Sequence, residues 1–126
     1  MSTDADARQA RKIFIVEDQA LIVMLLEDVL TRAGHVVCGT AGKPALALAQ
    51  IPDSGAEIVL MDINLGPGPS GIDVALELGP DPAYAFVFLS AYPAATWESQ
   101  LGRVRGAPFL NKPVEPTELL RIISRF

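Results

Sequence analysis

Four short apolar segments of this 126-residue chain each lead into a polar or charged side chain. In chain order, these side chains are an acidic pair, a single carboxylate, a hydroxyl and a lysine: Glu17-Asp18, Asp62, Ser90 and Lys112. A short apolar run bounded by turn residues is typical of a strand buried on both faces of a parallel sheet. Because such strands share one carboxyl edge, we expect the four groups to converge there, where open α/β sheets bind ligands.

Three carboxylates that meet at one edge would repel one another unless a cation lies between them. Mg²⁺ prefers carboxylate, carbonyl, water and phosphate oxygens, so it is the expected cofactor. The hydroxyl of Ser90 and the ammonium of Lys112 would supply hydrogen-bond donors for the oxygens of a phosphoryl group. A carboxylate such as Asp62 can attack phosphorus to form an aspartyl-phosphate, and catalysis of that transfer is mainly positioning and charge neutralisation.

Each of these residues alone also has an ordinary structural explanation. The acidic pair could stabilise the positive end of the helix that follows it. Ser90 could cap a helix, Asp62 could form an Asx-turn, and Lys112 could be a solvated surface charge. The placement of each at its own strand end favours the chemical interpretation.

The elements that would position these groups alternate along the chain. The pattern predicts strands over 12–16, 35–39, 58–62, 85–90 and 108–111, and helices over 20–33, 43–51, 72–78 and 116–126. Residues 52–55 and 66–71 are predicted loops, and residues 93–104 a short or mobile helix. Connections this long require right-handed crossovers, so we expect one α/β domain over 12–126 with helices on both faces of a parallel sheet. Residues 1–11 are expected to be a flexible leader.

Composition excludes several classes of protein. The net charge of −5 argues against a nucleic-acid-binding surface, which needs clustered Lys and Arg. The N-terminus has no secretory pattern and no apolar run is long enough to span a membrane, so we expect a cytoplasmic protein. The lone cysteine, Cys38, is expected to be a small buried hydrophobe, and the lone histidine, His35, to be structural.

From residue 12 to residue 126 the chain resembles a receiver domain of the two-component response-regulator family. The resemblance implies a flavodoxin-like three-layer α/β/α sandwich with a five-stranded parallel sheet in the order 2-1-3-4-5. It implies that Asp62 is the phosphoacceptor. It also implies that Mg²⁺ is held by Asp62, by Glu17 and Asp18, and by the backbone carbonyl of Asn64.

The same resemblance assigns the remaining site residues. Ser90 matches the switch hydroxyl that moves toward the phosphoryl group. Lys112 matches the lysine that pairs with phosphate, and its bond to Pro113 is expected to be cis. Phe109 stands at the position of the rotating aromatic switch, where Tyr is commoner. The loop 66–71 is one residue longer than the common form.

Residues 88–92 and 108–113 resemble a stand-alone alphaproteobacterial receiver subgroup with an altered fourth helix, associated with histidine kinases of the HWE type. The resemblance implies a stand-alone receiver, a switch rather than an enzyme, that accepts a phosphoryl group from a histidine kinase or histidine phosphotransfer protein. It would act as a monomer or weak dimer on a protein partner that the sequence leaves unknown. Two alternatives are a phosphorylation-independent protein-binding module with this fold and a Mg²⁺-dependent phosphohydrolase.

Overall fold

Five parallel strands form the centre of the protein. The computed structural model describes residues 10–79, 84–104 and 106–126. The strands are β1 (Lys12–Val16), β2 (Val36–Ala41), β3 (Ile58–Asp62), β4 (Ala85–Ser90) and β5 (Phe109–Asn111). Their order in the sheet is β2-β1-β3-β4-β5, and all four neighbouring pairs are parallel. The predicted fold class is therefore confirmed. Most of the predicted leader, residues 1–9, lies outside the described residues.

Five helices connect and flank the strands. They are α1 (Ala20–Arg32), α2 (Pro44–Ser54), α3 (Gly71–Leu78), α4 (Glu98–Leu101) and α5 (Pro116–Ile123), and a single 3₁₀ turn (Ala94–Trp97) precedes α4. The short helix expected over 93–104 is thus present as this turn and α4. Part of the loop predicted to end α3, residues 80–83, lies outside the described residues.

Three predicted elements differ from the structure by two or more residues at one end: α2, β2 and α5, which ends at Ile123 rather than at Phe126. Residues 52–54 belong to α2 rather than to a loop. Pro52 lies in the last turn of this helix, where its missing N–H costs only one helical hydrogen bond, so the helix continues through it. The last helical residue is Ser54. Gly55 follows it as the cap, with a φ of 78° that glycine adopts readily. Strand β2 runs two residues beyond the predicted end, because its pairing with β1 continues to Val16 opposite Ala41.

Side chains that alternate along each strand divide the core into two layers. Ile13, Ile15 and Leu60 face the layer that α1 and α5 cover, through residues such as Leu30 and Leu119. The other face of the sheet packs against α2, α3 and residues 94–101, which contain α4. The buried residues of this second layer include Phe14, Val16, Val59, Met61, Ala47, Ile72 and Phe88. The alternation follows from the period of two in a strand, and it gives the three layers expected.

Helix α1 has an unexpected exposed face. Leu26 and Leu30 are its buried residues, whereas Leu21, Met24 and Leu25 are 77%, 63% and 64% exposed. The helical spacing of apolar residues thus identified the helix correctly, but part of that stripe faces outward. Among the described residues, no helix is both long and apolar enough to cross a membrane.

Candidate phosphoacceptor site

The carboxyl edge of the sheet brings three carboxylates together. Asp62 is the last residue of β3, and Glu17 and Asp18 follow the last residue of β1, the strand beside it. One oxygen from each carboxylate lies within 4.8 Å of the others. Glu17 and Asp62 are only 2% and 3% exposed, while Asp18 is exposed. The convergence expected from the sequence is therefore present in the structure.

Lys112 lies across the two buried carboxylates. Its Nζ is 2.6 Å from Oε1 of Glu17 and 3.2 Å from Oδ2 of Asp62. Lys112 directly follows β5, the strand that β4 separates from β3. Its backbone N–H donates to the carbonyl of Ser90 at 2.8 Å. The Lys112-Pro113 bond is cis, as expected. One cation thus partly neutralises two carboxylates that lie in the protein interior.

Burial dominates the electrostatics of this cluster. It raises the pKa of Asp62 and Glu17 above their usual values, although Lys112 acts in the opposite direction on both. For Lys112, burial by itself would lower the pKa, but the contacts with Glu17 and Asp62 together raise it. Desolvation disfavours charged carboxylates, so the site gains from a further positive charge.

The residues present fit a magnesium ion. Oε1 of Glu17 is buried and, within the described part of the chain, has no hydrogen-bond partner apart from the ion pair with Lys112. A buried carboxylate oxygen with an unused lone pair is suited to a cation or to a water bound to one. Together with Asp18 and Asp62 it offers the hard oxygen donors that Mg²⁺ prefers.

Ser90 ends β4 and is 1% exposed. Its Oγ accepts hydrogen bonds from the backbone N–H of Tyr92 at 2.9 Å and from the indole Nε1–H of Trp97 at 3.0 Å. Asp62 pairs with Leu89 in the β3–β4 register, so Ser90 stands one residue beyond the partner of the acceptor. The hydroxyl therefore lies beside the site, held on its outer side by the loop after β4.

Two further predicted site residues occupy the edges of this region. The backbone N–H of Asn64 donates to Oδ1 of Asp62 at 3.3 Å, and its side chain is exposed. Phe109 begins β5 opposite Phe88 of β4, and it is half-buried against the core under α2, α3 and α4. Phe109 thus lies in β5, which β4 separates from the strand that carries Asp62.

The loop after Asp62 is fixed at its far end by a helix cap and by a hydrogen bond to the residue that follows β3. Ser70 and Asp73 form a capping box at the start of α3, with reciprocal hydrogen bonds of 2.9 and 3.2 Å. The N–H of Gly71 donates to the carbonyl of Ile63 at 2.8 Å. A Cβ at position 71 would lie only 2.7 Å from Cγ of Met61 and closer still to the carbonyl oxygen of Asp62. Helix α3 therefore packs directly on the backbone of the candidate acceptor.

Comparison with known families agrees with this geometry. The family model described as "Response regulator receiver domain" matches residues 13–124, nearly the whole described chain. The chain belongs to the response-regulator receiver family. The receiver fold and its role in two-component signalling, expected from the sequence, are therefore confirmed.

Two curated relatives are each 32% identical to this receiver. PdtaR of Mycobacterium tuberculosis aligns over 98% of the chain, and PhyR of Methylorubrum extorquens over 94%. The chain spans 60% of the length of PdtaR and 44% of that of PhyR. Among solved structures, the receiver domain of a modulated diguanylate cyclase from Desulfovibrio desulfuricans has a TM-score of 0.83 at 27% identity, over 92% of both chains.

Sequence reasoning missed two residues that the structure places at the site. Trp97 belongs to the short helix predicted over 93–104 and was given no role at the site, but its indole donates to the hydroxyl of Ser90. Gly71 was assigned only to the loop over 66–71, whereas its missing side chain permits close packing on Asp62. No spacing rule points to Trp97, because its contact depends on how the segment after β4 folds back.

Proposed function

We propose that this receiver accepts a phosphoryl group on Asp62 from a histidine kinase or histidine phosphotransfer protein and signals through protein–protein contacts. The observation that carries the proposal is Lys112 Nζ, which lies within 3.2 Å of Asp62 and 2.6 Å of Glu17. This arrangement places a buried nucleophile beside a cation that can pair with an incoming phosphate. We further propose a histidine kinase of the HWE type as the donor, from the resemblance of residues 88–92 and 108–113 to receivers that work with such kinases.

In the proposed reaction, a carboxylate oxygen of Asp62 attacks phosphorus while the bond from phosphorus to the donor imidazole nitrogen breaks. Lys112 neutralises charge on the phosphoryl oxygens, and the hydroxyl of Ser90 donates to one of them. Glu17, Asp18, Asp62 and the carbonyl of Asn64 would hold Mg²⁺, which lowers the repulsion between carboxylate and phosphate. The product is a charged switch, so we propose a signalling role rather than turnover of a substrate.

Acetyl phosphate with Mg²⁺ tests the proposal without a partner protein. We expect intact mass measurement to find one added phosphoryl group per chain, lost in Asp62→Asn and in the presence of EDTA. Asp53→Asn is the matched control, because Asp53 is an exposed carboxylate in α2, away from the acidic cluster. The absence of any adduct on the wild-type chain would favour the phosphorylation-independent binding module. Release of more than one equivalent of phosphate from a phosphate ester would favour a phosphohydrolase.

The exposed apolar face of α1 supports docking of the phosphodonor protein beside Asp62. A groove between α1 and the start of α5 is lined by apolar residues and by Lys112. Since Lys112 also contacts Asp62, a protein that brings a phosphohistidine to Asp62 lies next to this groove. The groove and the exposed side chains of Leu21, Met24 and Leu25 would supply apolar contact area for it.

Substitution on this face separates protein docking from chemistry. We expect Leu25→Gln to slow phosphotransfer from a phosphorylated histidine phosphotransfer domain while leaving modification by acetyl phosphate unchanged. Leu46→Gln is the matched control, because Leu46 is 46% exposed on α2, which covers the opposite face of the sheet. Equal transfer rates for the two variants would contradict docking at α1.

A further inference from the structure

The indole of Trp97 donates a hydrogen bond to the hydroxyl of Ser90. Nε1–H donates to Oγ at 3.0 Å, and the backbone N–H of Tyr92 donates to the same oxygen at 2.9 Å. A serine hydroxyl has two acceptor lone pairs and one proton. Both lone pairs are therefore occupied, and the hydroxyl has a defined position before any phosphoryl group is present.

This hydrogen bond belongs to a connected group of contacts around the end of β4. The rings of Trp97 and Tyr92 meet edge to face with their centroids 6.4 Å apart. The carbonyl of Tyr92 accepts a hydrogen bond from Nδ2 of Asn111 at 3.0 Å, and Asn111 immediately precedes Lys112. The group thus joins the strand ends of β4 and β5 to the segment 94–101.

The indole bond also links the buried hydroxyl to a segment that is otherwise weakly held. In the segment 94–101 no residue is fully buried. Trp97 and Leu101 are partly buried, and they are the residues of this segment that pack on the core. An indole N–H can only donate, so it depends on Ser90 as its acceptor. Any movement of the hydroxyl therefore removes one of the few contacts that fix this segment.

We propose that Trp97 is a positioning residue that holds Ser90 in the resting arrangement and couples its movement to the segment 94–101. This inference rests on the proposed function, since it requires an anionic acceptor on Asp62. Hydrogen bonds to ionised groups are about twice as strong as neutral ones, so phosphoryl oxygens compete successfully for the hydroxyl. A change of the Ser90 rotamer toward Asp62 carries Oγ away from the indole, and the segment loses its anchor.

The chain contains one tryptophan, so its indole gives a single, unambiguous NMR resonance. Beryllofluoride with Mg²⁺ serves as a non-transferable phosphoryl analogue. We expect its binding to shift the Nε1–H resonance upfield, as the hydrogen bond to Ser90 is lost. In Ser90→Ala the resonance should already lie near the upfield position without beryllofluoride. An unmoved resonance in wild-type protein that binds beryllofluoride overturns the inference and leaves the proposed function standing.

The affinity for beryllofluoride tests the same hydrogen bond by a second measurement. Trp97→Phe keeps an aromatic ring but removes the donor, so we expect beryllofluoride to bind roughly two- to tenfold more tightly, the range of one net hydrogen bond. The gain should vanish in the Ser90→Ala background. Leu101→Ala is the matched control, because Leu101 packs the same segment on the core but takes no part in this hydrogen bond. We expect the affinity of Leu101→Ala for beryllofluoride to equal that of the wild type.

The outcomes separate the two claims. Unchanged or weaker binding in Trp97→Phe, or a gain that persists in Ser90→Ala, overturns the positioning role of Trp97 alone. Failure of wild-type protein to bind beryllofluoride overturns both this inference and the proposed function.

Discussion

Replacing Gly71 by alanine should disturb both the stability of the domain and the position of the phosphoacceptor. The new Cβ would lie 2.7 Å from Cγ of Met61, 2.9 Å from the carbonyl carbon of Asp62 and closer still to its carbonyl oxygen. Real Cβ atoms essentially never approach other atoms within 3.0 Å. Two of these three atoms are backbone atoms of β3, so α3 or the end of the strand must shift.

Overpacking in a well-packed core typically costs about 1–3 kcal/mol, and a backbone obstacle places Gly71→Ala near the upper end. The helix propensity of alanine returns less than about 1 kcal/mol, because position 71 is the first residue of α3 rather than its interior. We therefore expect a net loss of about 2 kcal/mol. For a domain of this size the loss corresponds to a fall in Tm of roughly 8 °C.

Urea denaturation and thermal melting measure the loss, and the rate of modification by acetyl phosphate at low temperature measures the displacement of Asp62. Gly102→Ala is the control, because a Cβ there would meet its nearest neighbours at 3.7 Å and the backbone φ is −60°. Its stability should stay within about 0.5 kcal/mol of wild type. If Gly71→Ala is as stable and as reactive as Gly102→Ala, the reasoning from close packing is refuted.

Three further predictions concern charge. Lys112→Met leaves two buried carboxylates without their cation, so we expect a loss near 3 kcal/mol at neutral pH. Because the loss of Lys112 raises the folded pKa of both carboxylates further above their unfolded values, the deficit in urea denaturation should shrink as pH falls from about 8 to about 5. Asp18→Asn should weaken Mg²⁺ binding in calorimetry without destabilising the metal-free protein, since Asp18 is exposed. Burial, helped by the charge of Arg11, lowers the pKa of His35. The folded state then binds fewer protons, so stability should fall as pH drops below about 6.5, and His35→Gln should flatten this dependence in pH-dependent melting. A pH dependence in His35→Gln as steep as that of the wild type would contradict the assignment.

Much of the architecture could be predicted from local pattern. The strands ending in Asp62 and Ser90 were predicted with their observed bounds, because continuous apolar runs next to turn residues have few other structural explanations. The convergence of the acidic pair, Asp62 and Lys112 also followed from the sequence, since parallel strands place their carboxyl ends at one edge. Pro52 misled the prediction because the tendency of proline to end a helix is weak in a last turn.

By itself the sequence determined the α/β class, the strand ends and the identity of the charged cluster, because these depend on residue type and on continuous apolar runs that alternate with helical spacings. The strand order was implied by the family resemblance. Only the tertiary structure decided which apolar residues of α1 face outward, that Gly71 touches the backbone of Asp62, and that Trp97 donates to Ser90. These features depend on distances between segments that are far apart in the chain or joined by irregular loops. No local pattern encodes such distances, because they are set by the way the helices and loops pack against the sheet.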